Sequence, residues 1–76
     1  MKLPIISGKD DIKVFEKIGY RAVRRKGSHV RLRDDDHFHN PITIPNHKVL
    51  KPGLLRMLIK DSGLTIESFL SLIKDL

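Results

Sequence analysis

Histidine is the side chain that exchanges protons near neutrality. The chain has four histidines and no cysteine. His29 has the most suggestive setting. It follows the turn-forming pair Gly27-Ser28 and opens the alternating run His29-Val30-Arg31-Leu32-Arg33. In an extended chain alternate side chains share a face, so Val30 and Leu32 facing a core would leave His29, Arg31 and Arg33 together on the other side. Arg24, Arg25 and Lys26 lie just before the turn. Cleaving an RNA backbone needs no protein nucleophile, because the ribose 2′-OH attacks the neighbouring phosphate. It needs a base for that hydroxyl, cations for the charge growing on phosphorus, and an acid for the leaving 5′-oxygen. A histidine among arginines meets the first two requirements. The plainer alternative is an ordinary strand histidine with a solvated ring.

The other candidates offer less. His47, just after Ile44-Pro45, is a second proton-transfer group or phosphate contact, or else a packed or solvated loop residue. Ser28 as a nucleophile would need a base and an orienting acid, and no carboxylate is evidently placed for that; a turn serine bonding its own backbone is simpler. His37 and His39 form a His-x-His pair able to chelate zinc from an extended segment. No third ligand stands nearby, so neither a metal nor any other cofactor is expected. The Gly-x-x-x-x-Gly-Lys phosphate loop is absent.

Charge supports an anionic partner. The formal net charge is +6, and residues 21–60 hold ten Lys and Arg side chains against three acids, Asp34, Asp35 and Asp36. A basic zone between near-neutral ends suits a polyanion such as RNA, whose counterions are released on binding; a solvated, solubilising surface is the alternative. Seventy-six residues make one domain, residues 1–76, with a thin core that a covering partner would help to stabilise. The absence of cysteine fits a reducing compartment. No apolar run approaches a membrane span and the first seven residues are too short for a secretory leader, so a cytoplasmic location is expected.

The elements that must hold these groups can be read from their periods. Ser7 caps a helix carrying Ile12, Val14, Phe15 and Ile18, which Gly19 ends. Tyr20 to Arg25 is a strand whose inward side chains are ambiguous, Lys26-Gly27-Ser28 a hairpin turn, and His29 to Arg33 the next strand. Asp34 to Asn40 is a polar loop, and Ile42 to Ile44 a third strand between prolines. A helix begins at Pro52 with Leu54, Leu55, Leu58 and Ile59 as its apolar stripe. Thr65 caps the last helix, with Ile66, Phe69, Leu70 and Ile73 at helical spacing. The order is α-β-β-β-α-α: an α+β fold, its three-stranded antiparallel sheet covered by helices on one face and basic on the other.

Several motifs in order resemble the HicA toxins (HicA/YcfA-like). They are Leu3-Pro4, Ser7-Gly8-Lys9, Gly19-Tyr20, Arg24-x-Lys26-Gly27-Ser28-His29, Ile44-Pro45-x-His47, Leu50-Lys51-Pro52-Gly53-x-Leu55 and Gly63-Leu64. The resemblance implies a fold like a double-stranded-RNA-binding domain and metal-independent mRNA cleavage that blocks translation. It also implies inhibition by a HicB-type antitoxin covering the active face. It maps the family's catalytic histidine onto His29 and a second onto His47. Arg24, Arg25, Lys26, Ser28, Arg31, Arg33 and Lys51 are then the expected RNA contacts. The toxin is expected to be a monomer alone and a hetero-oligomer with its antitoxin. The Asp34–Asn40 loop departs from the family in being so acidic, and Leu54 stands where a small hydroxyl residue is common. A non-catalytic RNA-binding module of the same fold is the rival reading.

Overall fold

Ser7 opens the first helix as expected, its hydroxyl accepting the Asp10 N–H at 3.0 Å. In the computed structural model, which describes residues 3–74, the elements are α1 (Gly8–Glu16), β1 (Tyr20–Lys26), β2 (His29–Asp34), β3 (Ile42–Pro45), α2 (Pro52–Ser62) and α3 (Ile66–Ile73). The three strands form one antiparallel sheet in the order β1-β2-β3. Thr65 caps α3 by accepting the Ser68 N–H. Gly63 ends α2 at φ 84°, a left-handed conformation that glycine adopts without strain.

The strand pattern places the core between sheet and helices. Val30 and Leu32 on β2 and Ile42 and Ile44 on β3 are buried, while His29, Arg31 and Arg33 are exposed. Phe15 of α1 meets Phe69 of α3 with centroids 5.7 Å apart and takes the ring of Tyr20 edge-on at 5.5 Å, geometries that aromatic quadrupoles favour.

A bulge resolves β1. The register pairs Lys26 with His29, Arg25 with Val30 and Arg24 with Arg31, then slips so that Ala22 pairs with Leu32, Arg21 with Arg33 and Tyr20 with Asp34. Val23 is the extra residue. In an unbroken strand Tyr20, Ala22, Arg24 and Lys26 would share one face. The inserted residue changes the parity, so Tyr20 turns into the core while Arg21, Arg24 and Lys26 all turn outward.

Two acids are buried, although carboxylates rarely are. Asp34, expected in the polar loop, ends β2 and is 2 % exposed. Its carboxylate accepts the backbone N–H groups of Asp36, Phe38 and His39 at 3.0–3.1 Å. Those bonds replace the water it gives up. Asp11 lies on the inner face of α1, wholly buried, and neither carboxylate oxygen has a hydrogen-bond partner. Burial pushes its pKa up to about 7, since a low-dielectric interior penalises the charged form.

Candidate functional site

The outward face of the sheet carries three rows set by the register. Lys26 lies beside His29, Arg24 beside Arg31, and Arg21 beside Arg33. Across the other seam, Thr43 of β3 lies beside Arg31, and the Arg31 guanidinium donates to the Thr43 hydroxyl at 3.0 Å. That bond fixes one cation relative to His29, two residues along the same strand. Five cationic side chains and one imidazole therefore share a solvent-exposed surface.

Two open clefts run across it. Arg24, Lys26, Gly27, His29, Arg31 and Thr43 line the first, which holds the imidazole. Arg21, Val23, Arg24, Arg31, Arg33, Asp35 and His37 line the second. Arg24 and Arg31 line both, so the two clefts adjoin along this pair.

At the hairpin end a separate arrangement brings His47 in. The Asn46 N–H donates to the Ser28 carbonyl at 2.6 Å, and the Gly8 N–H donates to the His47 carbonyl at 2.8 Å. The segment after β3 is thus held between the β1–β2 turn and the first turn of α1. Gly8 allows this approach: a Cβ there would collide with the Pro45 carbonyl oxygen. So held, the His47 ring places Nε2 3.3 Å from Ser28 Oγ. Ser28 precedes His29 directly, so both imidazoles sit at one end of the basic face.

The structure treats the expected contacts unequally. Arg24, Lys26, His29, Arg31 and Arg33 line the clefts, and Ser28 with His47 forms the adjoining pair. Arg25 does not join them. It pairs with the buried Val30 and so projects from the helix side of the hairpin, although it is itself exposed. Lys51 is the exposed N-cap of α2 and lines neither cleft. Sequence reading missed Arg21 and Thr43. Thr43 was accessible from the alternation Ile42-Thr43-Ile44, whereas Arg21 faces outward only because of the bulge.

The acidic loop opposes an anionic ligand less than its composition suggests. Asp34 is turned inward and saturated by N–H donors. Asp35 accepts two bonds from the Arg21 guanidinium, both at 3.0 Å, and the hydrogen bond from Arg21 holds its pKa below the usual carboxylate range. His39 bonds through Nδ1 to the Ser62 carbonyl and stacks on Tyr20; that ring serves the loop's attachment to α2. Among the described residues, no group of three or more His, Asp or Glu side chains is placed to hold a metal ion.

Residues 8–64 match the family profile described as "HicA toxin of bacterial toxin-antitoxin". The chain belongs to the HicA toxin family. That membership places it in a toxin–antitoxin pairing, and the α-β-β-β-α-α order agrees with the fold expected from its motifs. The match contains the whole sheet, the hairpin with His29, the His47 segment and α2. No curated protein and no solved structure matches the chain. Among the described residues of this HicA family member, no helix is long and apolar enough to cross a membrane.

Proposed function

We propose that the protein is the ribonuclease toxin of a toxin–antitoxin pair, cleaving mRNA on the outer face of its sheet. The observation that carries this reading is the register, which sets Lys26, Arg24 and Arg21 beside His29, Arg31 and Arg33. His29 takes the proton from a ribose 2′-OH as that oxygen attacks phosphorus. The bond from phosphorus to the 5′-oxygen breaks, leaving a 2′,3′-cyclic phosphate, and the departing oxygen takes a proton from a general acid. His47, hydrogen-bonded to Ser28 at the same end of the face, is the group assigned to that second transfer. Arg24, Lys26 and the Thr43-braced Arg31 offset the charge that develops on phosphorus. These groups supply base, acid and cations from side chains alone, so the proposed reaction runs without a metal.

An antitoxin that neutralises such an enzyme must cover His29 and meet the surrounding cations with carboxylates. A HicB-type partner acting by occlusion fits both the charge and the family. Incubating folded His29→Ala protein with mRNA, with and without a chelator in the parent reaction, tests the assignment. Cleavage is expected to vanish in the variant and to persist in EDTA. Undiminished cleavage by His29→Ala would remove the catalytic histidine. RNA binding with no cleavage by the parent would leave the non-catalytic binding module as the correct reading.

A further inference from the structure

The second cleft leads to a feature that the cleavage chemistry does not use. His37 lines that cleft, and the next residue, Phe38, is 84 % exposed. Lone exposed apolar residues are common on protein surfaces, so exposure by itself decides nothing. What distinguishes Phe38 is the bracing of the loop that presents it. Its own N–H and that of His39 donate to the buried Asp34 carboxylate. His39 and Asn40 then tie the loop to the C-terminal end of α2, through the carbonyls of Ser62 and Asp61. His37 adopts the left-handed region at φ 59°, which costs energy for a residue with a side chain. A loop held this firmly keeps an apolar ring in water, one residue along the chain from the His37 that lines the arginine-rich cleft.

We infer that Phe38 is a stacking platform for an unpaired base, and that the second cleft carries the RNA backbone to it from the His29 cleft. This rests on reading the outer face as the RNA surface and adds to it a substrate class, single-stranded RNA. A cationic groove that tracks phosphates together with an aromatic ring that takes a base is how proteins bind single strands without reading sequence. Arg24 and Arg31, common to both clefts, give the backbone a continuous path. The Arg21–Asp35 pair beside the path limits the repulsion an acidic loop would otherwise impose. Duplex RNA, whose bases are already stacked, gains nothing from the ring.

The chain contains no tryptophan, so Phe38→Trp introduces a single indole whose fluorescence reports stacking. The test uses the His29→Ala background and three probes: oligoadenosine of roughly ten nucleotides, an abasic backbone of equal length, and a duplex. Oligoadenosine is expected to quench the indole, and the other two to leave it unchanged. Phe38→Ala is expected to weaken oligoadenosine binding about 5- to 150-fold, with abasic binding and the salt slope retained. If Phe38→Ala binds oligoadenosine as tightly as its background, the platform is wrong while the RNA face stands. If neither protein binds any RNA, the ribonuclease reading fails first. If Phe38→Ala loses affinity only for an antitoxin, the ring belongs to a protein interface and the inference is overturned.

Discussion

Ser28 and His47 lie nineteen residues apart in the chain, yet Oγ of one is 3.3 Å from Nε2 of the other. The contact depends on two backbone bonds, Asn46 N–H to the Ser28 carbonyl and Gly8 N–H to the His47 carbonyl. It therefore joins the hairpin turn, the end of β3 and the start of α1 in one local structure beside His29.

Removing the His29 imidazole should cost about 10²- to 10⁴-fold in cleavage rate, the usual contribution of a positioned proton-transfer group. Its side chain is exposed, so His29→Ala should unfold at nearly the parent denaturant midpoint. Rate and midpoint measured on the same preparation separate lost chemistry from lost fold.

Ser28→Ala and His47→Ala should be non-additive. If Ser28 acts by orienting the His47 ring, the double variant should cleave no more slowly than His47→Ala alone. Ser28→Ala alone should have the smaller effect. A double-mutant cycle on the cleavage rate checks this, and fully additive losses would separate the two residues.

Arg24 and Arg25 are neighbours in sequence on opposite sides of the sheet, which makes them a direct test of the RNA face. Arg24→Ala should shallow the dependence of log affinity on log salt by about 0.7, the value for one phosphate contact on a single strand. Arg25→Ala should shallow it much less. Titrating labelled RNA on His29→Ala protein at several salt concentrations measures both. Adding the antitoxin should displace the RNA, because both need this face. A ternary complex with undiminished RNA affinity would rule out inhibition by occlusion.

Asp11 should make stability fall as pH rises. Its pKa is 3.8 as an ordinary carboxylate and about 7 when buried, so between those values the folded state holds a proton that the unfolded chain has lost. Stabilisation from the neutral form is complete below about pH 4 and is lost as pH rises to about 7, a change of at most about 4 kcal/mol. Asp11→Asn should accordingly gain stability relative to the parent between pH 5 and pH 8. Urea unfolding at those two pH values shows it, and an equal difference at both would mean the carboxylate carries no such shift.

Gly8→Ala should be destabilising despite alanine's higher helix propensity. The added methyl meets the Pro45 carbonyl oxygen and the Asn46 backbone, and overpacking of this kind costs about 1–3 kcal/mol. It should also slow cleavage, because α1 and the His47 segment must separate. Alanine at Gly53, where an added Cβ meets nothing within 4 Å, is the matched control.

Helices, strands and their order were legible because each rests on a local signal. Ser7 and Thr65 cap, Pro52 starts a helix, Gly63 ends one, and Val30 and Leu32 alternate with charge; α1 itself stops at Glu16 with Lys17 as its C-cap, ahead of Gly19. The same alternation placed His29, Arg31 and Arg33 on one face, and the ordered motifs carried the family. The sequence by itself therefore determined the architecture and the outward position of His29 among arginines. The tertiary structure decided what depends on contacts between distant segments. The bulge at Val23 is one such decision, because inserting a residue into a ladder reverses the parity of β1 and leaves no mark in composition. Asp34 faces inward by the same alternation as Val30 and Leu32, but the three loop N–H groups that make its burial tolerable come from the tertiary fold. Asp11 is buried because the inner face of α1 covers the core at that point, whatever residue stands there. The Ser28–His47 contact closes across nineteen residues, and a periodicity read along one strand cannot register a distance between two.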